Sequence, residues 1–128
     1  MTLENLYDEC LNCNKCELHI SRNNIVFGVG NPNADVMLIG EAPGEYEDLS
    51  GQPFVGRSGK LLDELLNEVG FDRYKNIYIA NMLKCRPPKN RDPKPSEQKL
   101  CINWLEKQFE IINPKIIVCV GRISAQKL

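Results

Sequence analysis

Residues 35–70 read DVMLIGEAPGEYEDLSGQPFVGRSGKLLDELLNEVG. The stretch opens on an unbroken apolar run, Val36 to Ile39. It closes on Leu61, Leu62, Leu65, Leu66 and Val69 at helical spacing, with Gly70 as a stop. A strand with no polar alternation is buried on both faces. This strand–loop–helix unit therefore predicts an α/β fold. The connecting loop crowds Glu41, Glu45, Glu47 and Asp48 together and then sets Phe54 among glycines. Carboxylates and glycines packed so tightly between two regular elements are costly unless they bind something.

Outward from this unit the same alternation continues. Toward the N-terminus, Thr2 caps a helix with Leu3, Leu6, Tyr7 and Cys10 on one face, ending near Cys13–Cys16. NNIVFGVGNPNA (23–34) reads as a short strand and a turn. Toward the C-terminus, NIYIAN (76–81) is a second buried strand. MLKCRPPKNRDPKP (82–95) cannot be regular because of its prolines. Ser96 caps a helix whose inner face is Leu100, Cys101, Trp104, Leu105, Phe109 and Ile112. PKIIVCVG (114–121) is a third buried strand, and RISAQKL (122–128) begins another helix. Buried strands alternating with helices predict a parallel sheet covered on both faces. Ligands on such sheets bind at the carboxyl ends of the strands, where the loops 41–58 and 82–95 both lie. A sheet of so few strands is thin, so the single domain is expected to be incomplete at its C-terminus.

Apolar residues make up 42% of the 128 and charged residues 26%, with a net charge of −1, which excludes a polyelectrolyte. Any nucleic-acid contact must come from a local patch. Residues 84–99 offer one: Lys84, Arg86, Lys89, Arg91, Lys94 and Lys99 against Asp92 and Glu97. Proline-stiffened backbone with spaced cations suits phosphodiester contact. No apolar run is long enough for a membrane span, and MTLENLYDEC lacks signal-peptide character. A cytoplasmic location without membrane partners is the expectation. GQPFVGRS (51–58) only approaches a phosphate loop: Arg57 replaces its lysine, and the preceding acids repel phosphate. GVGN is a bare glycine pair without the third glycine.

In a reducing compartment, clustered cysteines suggest metal rather than disulfides. They stand at 10, 13, 16, 85, 101 and 119, three of them in CLNCNKC. Cys85 lies in the proline-rich loop and Cys101 in the following helix. Cys119 and Cys10 read as small buried apolar residues. A four-cysteinate site suits a [4Fe–4S] cluster or zinc, with His19 close enough to replace one ligand for zinc. Spacing alone leaves open 13/16 against 10/13, and iron–sulfur against zinc.

GEAPGEYEDLSGQPFVGRSGKLL, YIANMLKCRPPKNRDP and the cysteines at 13, 16, 85 and 101 together resemble family 4 uracil-DNA glycosylases. The resemblance runs from Leu3 to Leu128. It implies a three-layer α/β/α fold with a central parallel sheet, and a [4Fe–4S] cluster on Cys13, Cys16, Cys85 and Cys101. It implies excision of uracil from DNA, with uracil-containing DNA as partner. A monomer is the oligomeric expectation. A related branch that becomes covalently joined to the abasic product carries an inserted basic, histidine-containing loop. That insert is absent here.

By the same resemblance the acidic loop is the uracil pocket. The base is turned out of the duplex, Phe54 stacks on it, and Asn81 reads its O4 and N3–H edge. Glu47 lies near C5 and hinders the thymine methyl. Gly40, Glu41 and Ala42 approach the sugar and base. Glu41 is the first choice for stabilising an oxocarbenium-like sugar and Glu47 the second. Ala42 stands where some superfamily members activate water, which implies a dissociative route. Lys84, Arg86, Lys89, Asn90 and Arg91 are the implied DNA contacts. The family's histidine loop after a fourth strand has no counterpart in these residues, so this portion alone is expected to be inactive or very weak. Two alternatives stand beside this reading: a non-catalytic iron–sulfur DNA-binding module, such as one attached to a polymerase, and a zinc-stapled structural protein.

Overall fold

The computed structural model describes residues 1–121 and residue 126. The elements in chain order are α1 (Leu3–Cys10), α2 (Leu18–Ser21), β1 (Val29–Gly30), β2 (Val36–Gly40), α3 (Glu45–Ser50), α4 (Arg57–Glu68), β3 (Ile77–Asn81), a 3₁₀ turn (Pro88–Asn90), α5 (Pro95–Ile112) and β4 (Ile116–Cys119). They form one sheet of order β1-β3-β2-β4. β2 pairs in parallel with both β3 and β4, whereas the short β1 runs antiparallel to β3. The expected all-parallel sheet is thus mixed at one edge.

Side chains alternate across the sheet and explain its apolar strands. Met37 and Ile39 of β2, with Tyr78 and Ala80 of β3, pack with Leu6 and Cys10 of α1 and Trp104, Leu105 and Ile112 of α5. Leu38, Ile77 and Ile79 face the other way, against Leu62 and Leu66 of α4 and Phe54 and Phe71. The architecture is therefore α/β/α. Leu61 and Leu65 point outward instead, 56% and 52% exposed, so α4 buries a narrower stripe than its leucine count predicts.

Several boundaries move for identifiable reasons. Thr2 Oγ1 accepts from Asn5 N at 3.1 Å and caps α1 as expected, but the helix stops at Cys10 and frees the 13–16 segment. α5 begins at Pro95, the residue type suited to a first helical position, so Ser96 lies inside it. Among the described residues, the strand read as buried at 114–121 is exposed: Ile116, Ile117 and Val118 are 56%, 45% and 42% exposed, and Cys119 is only half-buried. Among those residues it pairs with β2 alone. The helix expected over 122–128 lies outside the described residues, save residue 126.

α3 falls inside the acidic loop and was not expected there. Glu45, Glu47 and Asp48 occupy its first turn, where carboxylates complement the helix N-terminus. Gly51 ends it in the left-handed region at φ 78°. Asp48 is buried and accepts from Asn23 N at 2.8 Å, Asn23 Nδ2 at 2.6 Å and Asn24 N at 3.2 Å. One of the four crowded carboxylates is thereby spent on tying the chain before β1 to the loop after β2.

Candidate active site

A cavity of about 230 Å³ opens at the carboxyl ends of β2 and β3. Gly40, Glu41, Ala42, Glu47, Phe54 and Asn81 all line it. The six residues assigned to the pocket from sequence are thus gathered around one space. Past the strand ends the ladder continues: Met82 N donates to Gly40 O at 2.9 Å and Leu83 N to Glu41 O at 3.0 Å. These bonds fix Glu41 and Asn81 on neighbouring chains. A side chain at Gly40 would overlap both Asn81 Oδ1 and the Phe54 ring, so only glycine lets the amide and the ring meet over the strand end.

Phe54 sits in the left-handed region at φ 52°, a costly conformation for an aromatic residue. Arg73 and Gly59 hold it. Buried Arg73 donates Nη1 to Pro53 O at 2.7 Å and Nη2 to Phe54 O at 2.6 Å. Its Nε is anchored on Asp63 at 2.8 Å. Gly59 of α4 lies directly beneath, where a Cβ would strike the Phe54 backbone. Glu47 closes the loop: Oε2 accepts from Val55 N and Gly56 N, both at 2.8 Å, and Oε1 from Gly44 N at 3.1 Å. Both its oxygens are held by main-chain donors, so Glu47 is a fixed anionic wall. A roomier groove of about 630 Å³ lies outside this loop along α4, but Glu64 is the one carboxylate in its lining and it has no amide.

Cys13, Cys16, Cys85 and Cys101 line one void between the 13–16 turn, the proline-rich loop and α5. Three of these sulfurs accept N–H bonds at 3.3 Å: Cys13 from Trp104 Nε1, Cys85 from Arg22 Nη1 and Cys101 from Lys84 N. Lys15, His19, Arg22 and Lys84 share the lining, with no carboxylate among them. Burial pushes the Cys101 thiol up to about 12 and raises Cys16 and Cys85 as well. Donors aimed at sulfur and cations without acids fit an anionic thiolate-ligated group. Among the described residues, no three His, Cys, Asp or Glu side chains are gathered closely enough to hold a metal ion. Cys10 is fully buried beneath α1, as expected of a small core residue.

The basic loop divides. Lys89 and Asn90 are exposed on the 3₁₀ turn, both with positive φ, of 56° and 58°. Arg86 Nε donates to Asn90 Oδ1 at 2.8 Å. Arg91 grips Glu97 with two bonds, 2.8 and 2.7 Å, which spends part of its charge within the protein. Lys84 corrects the sequence reading. It is 1% exposed and cannot reach a phosphate: its Nζ donates to Phe27 O, Asn81 O and Gln108 Oε1 at 3.0, 2.9 and 2.7 Å. Burial pulls its ammonium down to about 8. A smaller cavity, about 110 Å³, joins Pro87, Asn90, Arg91 and Pro93 of the loop to Glu41, Ala42 and Gly44, so Asn90 and Arg91 border the pocket mouth.

A family model for the uracil DNA glycosylase superfamily matches residues 27–128. The chain belongs to this superfamily. It is 50% identical over 125 residues to a type-4 uracil-DNA glycosylase of Archaeoglobus fulgidus, covering 98% of this chain and 62% of that protein. It is 52% identical over 109 residues to the type-4 enzyme of Thermotoga maritima, 85% of this chain and 56% of the relative. A DNA polymerase of Bacillus phage SP01 is 34% identical over 101 residues, 79% of this chain but 11% of the polymerase. The chain thus spans about three-fifths of the length of the type-4 relatives.

Within this superfamily domain, four residues that shape the site escaped the sequence reading. Ser58 and Val120 also line the 230 Å³ cavity. Val120 follows the end of β4, the third parallel strand, and that position was the available signal. Arg73 and Gln108 gave none, because a buried guanidinium and a buried amide are specified by partners far along the chain.

Proposed function

We propose that the protein excises uracil from DNA by hydrolysing the N-glycosidic bond of a flipped-out deoxyuridine. The observation that carries this reading is the meeting of an aromatic ring, a buried amide and two carboxylates around one cavity at the strand ends. Phe54 offers a face for the flat base. The Asn81 amide presents donor and acceptor together, which suits the uracil edge and leaves cytosine with mismatched partners. Glu47, pinned by its three main-chain donors, stands as a wall against a 5-methyl group. Glu41, the first choice, stabilises positive charge developing on the sugar as the bond to the base stretches. Lys89, Asn90, Arg86 and the remaining charge of Arg91 hold the phosphodiester backbone at the mouth.

Cys13, Cys16, Cys85 and Cys101 hold a [4Fe–4S] cluster in this reading. The cluster supplies a rigid staple between the 13–16 turn, the basic loop and α5. A monomer in the cytoplasm completes the proposal. The type-4 relatives support it by name. The test is release of free uracil from a uracil-containing oligonucleotide by the full-length protein. Release supports the reading; DNA binding without release favours the second one. That second reading, a non-catalytic iron–sulfur DNA-binding module, is favoured by the similarity to the phage polymerase.

A further inference from the structure

Lys84 is the largest fully buried side chain among the described residues. An ammonium withdrawn from water is costly unless an opposite charge lies near. Its three acceptors, Phe27 O, Asn81 O and Gln108 Oε1, are all neutral. No ion pair of the described residues includes it. The void it borders is lined by Cys13, Cys16, Cys85 and Cys101 and has no carboxylate. No carboxylate near it supplies the opposite charge, whereas a thiolate-ligated group held by the four cysteines would.

We propose that Lys84 is the internal counter-ion of the four-cysteine site, matched to the negative charge of the thiolate-ligated cluster. The inference rests on the [4Fe–4S] reading above. Arg22, whose guanidinium donates to Cys85 Sγ, is half-buried and partly screened by water, whereas Lys84 bonds a ligand sulfur, Cys101 Sγ, only through its main-chain N. Lys84 is not screened, so its charge acts across a low dielectric. The same ammonium holds the main-chain oxygen of Asn81. One buried cation is thus shared by the cysteine site and the amide-bearing strand end.

The test is the reduction potential of the cluster in the full-length, iron-loaded protein. Reduction adds negative charge, which Lys84 stabilises. Lys84→Met is expected to shift the one-electron equilibrium at least tenfold toward the oxidised form, a potential about 59 mV more negative. Gln108→Glu places a carboxylate against the ammonium and is expected to lower the potential in the same direction; it carries the test if Lys84→Met does not accumulate with iron. An unchanged potential in either iron-loaded variant overturns the counter-ion role while leaving the cluster reading intact. Wild-type protein that takes up no iron overturns both.

Discussion

Phe54 and Arg73 are joined by a 2.6 Å hydrogen bond from the guanidinium to the Phe54 carbonyl, and this bond holds an aromatic residue in the left-handed region. The ring proposed to stack on the base depends on a buried cation 19 residues away in the chain. Arg73→Met leaves the Pro53 and Phe54 carbonyls without their donor. The expected cost is about 1–3 kcal/mol of stability, read as a lower denaturant midpoint with unchanged slope. Uracil release by the full-length protein is expected to fall about 10²-fold, since a ring displaced by roughly 1 Å costs that much. A stable variant with wild-type turnover would show that Phe54 needs no clamp.

Gly40→Ala attacks the same pocket from below. The added methyl meets Asn81 Oδ1 and the Phe54 ring together, and neither can retreat while the strand ladder and the Arg73 clamp hold. The protein is expected to fold but to lose affinity for free uracil by at least about tenfold, a cost of about 1.4 kcal/mol. Inhibition of turnover by added uracil measures this. Unaltered inhibition would mean that the cavity is not where the base sits.

Why was the pocket legible and its scaffolding not? Strand ends in a parallel sheet fix the location of a site, and β2 and β3 declare themselves by unbroken apolar runs. Gly40, Glu41 and Asn81 could be placed from that alone, and the resemblance supplied their roles and that of Phe54. Lys84 was misread because a lysine in a proline-rich, cationic loop looks solvated; burial depends on Gln108 and Phe27, which the loop itself does not encode. β4, an unbroken apolar run, is exposed among the described residues, because an apolar run does not reveal what packs beside its strand. Asp48 looked like part of an acidic ligand site, yet it is satisfied by Asn23 and Asn24.

The Arg91–Glu97 pair predicts an acid sensitivity of the basic loop. The two hydrogen bonds from Arg91, helped by the Lys94 backbone N–H, hold the Glu97 carboxyl below its ordinary 4.5. A depressed folded value means stability that is present above the unfolded pKa and lost as pH falls through the folded one. Protease resistance of residues 86–97 is therefore expected to be flat above that ordinary value and to decline below it. Glu97→Gln is expected to lower resistance at neutral pH and to flatten the acid decline. An identical profile in wild type and variant would remove Glu97 from the account.

Cys85 couples the basic loop to the cysteine-lined void, with Arg22 Nη1 donating to its sulfur at 3.3 Å. Cys85→Ala is expected to lose bound iron and the visible absorption that accompanies it. The loop 86–93 is then expected to become protease-sensitive. Retained iron would take Cys85 out of the ligand set; lost iron with undiminished resistance would show that the loop is held by its prolines and Arg91 alone.

Glu41 and Glu47 line one cavity, yet their variants are expected to fail differently. Glu47→Gln must turn an NH₂ group toward a main-chain donor whichever way its amide lies, because both carboxylate oxygens accept N–H bonds. That mismatch costs about 1–3 kcal/mol and loosens the loop, so stability, uracil affinity and turnover are expected to decline together. Glu41→Gln keeps the shape of the wall and removes its charge. Turnover is expected to drop about 10²–10³-fold, as when one electrostatic stabiliser is lost, with the affinity for uracil-containing DNA nearly unchanged. Single-turnover rates and binding isotherms on the same oligonucleotide separate the two patterns. Equal turnover by Glu41→Gln and wild type would move the cation-stabilising role away from Glu41.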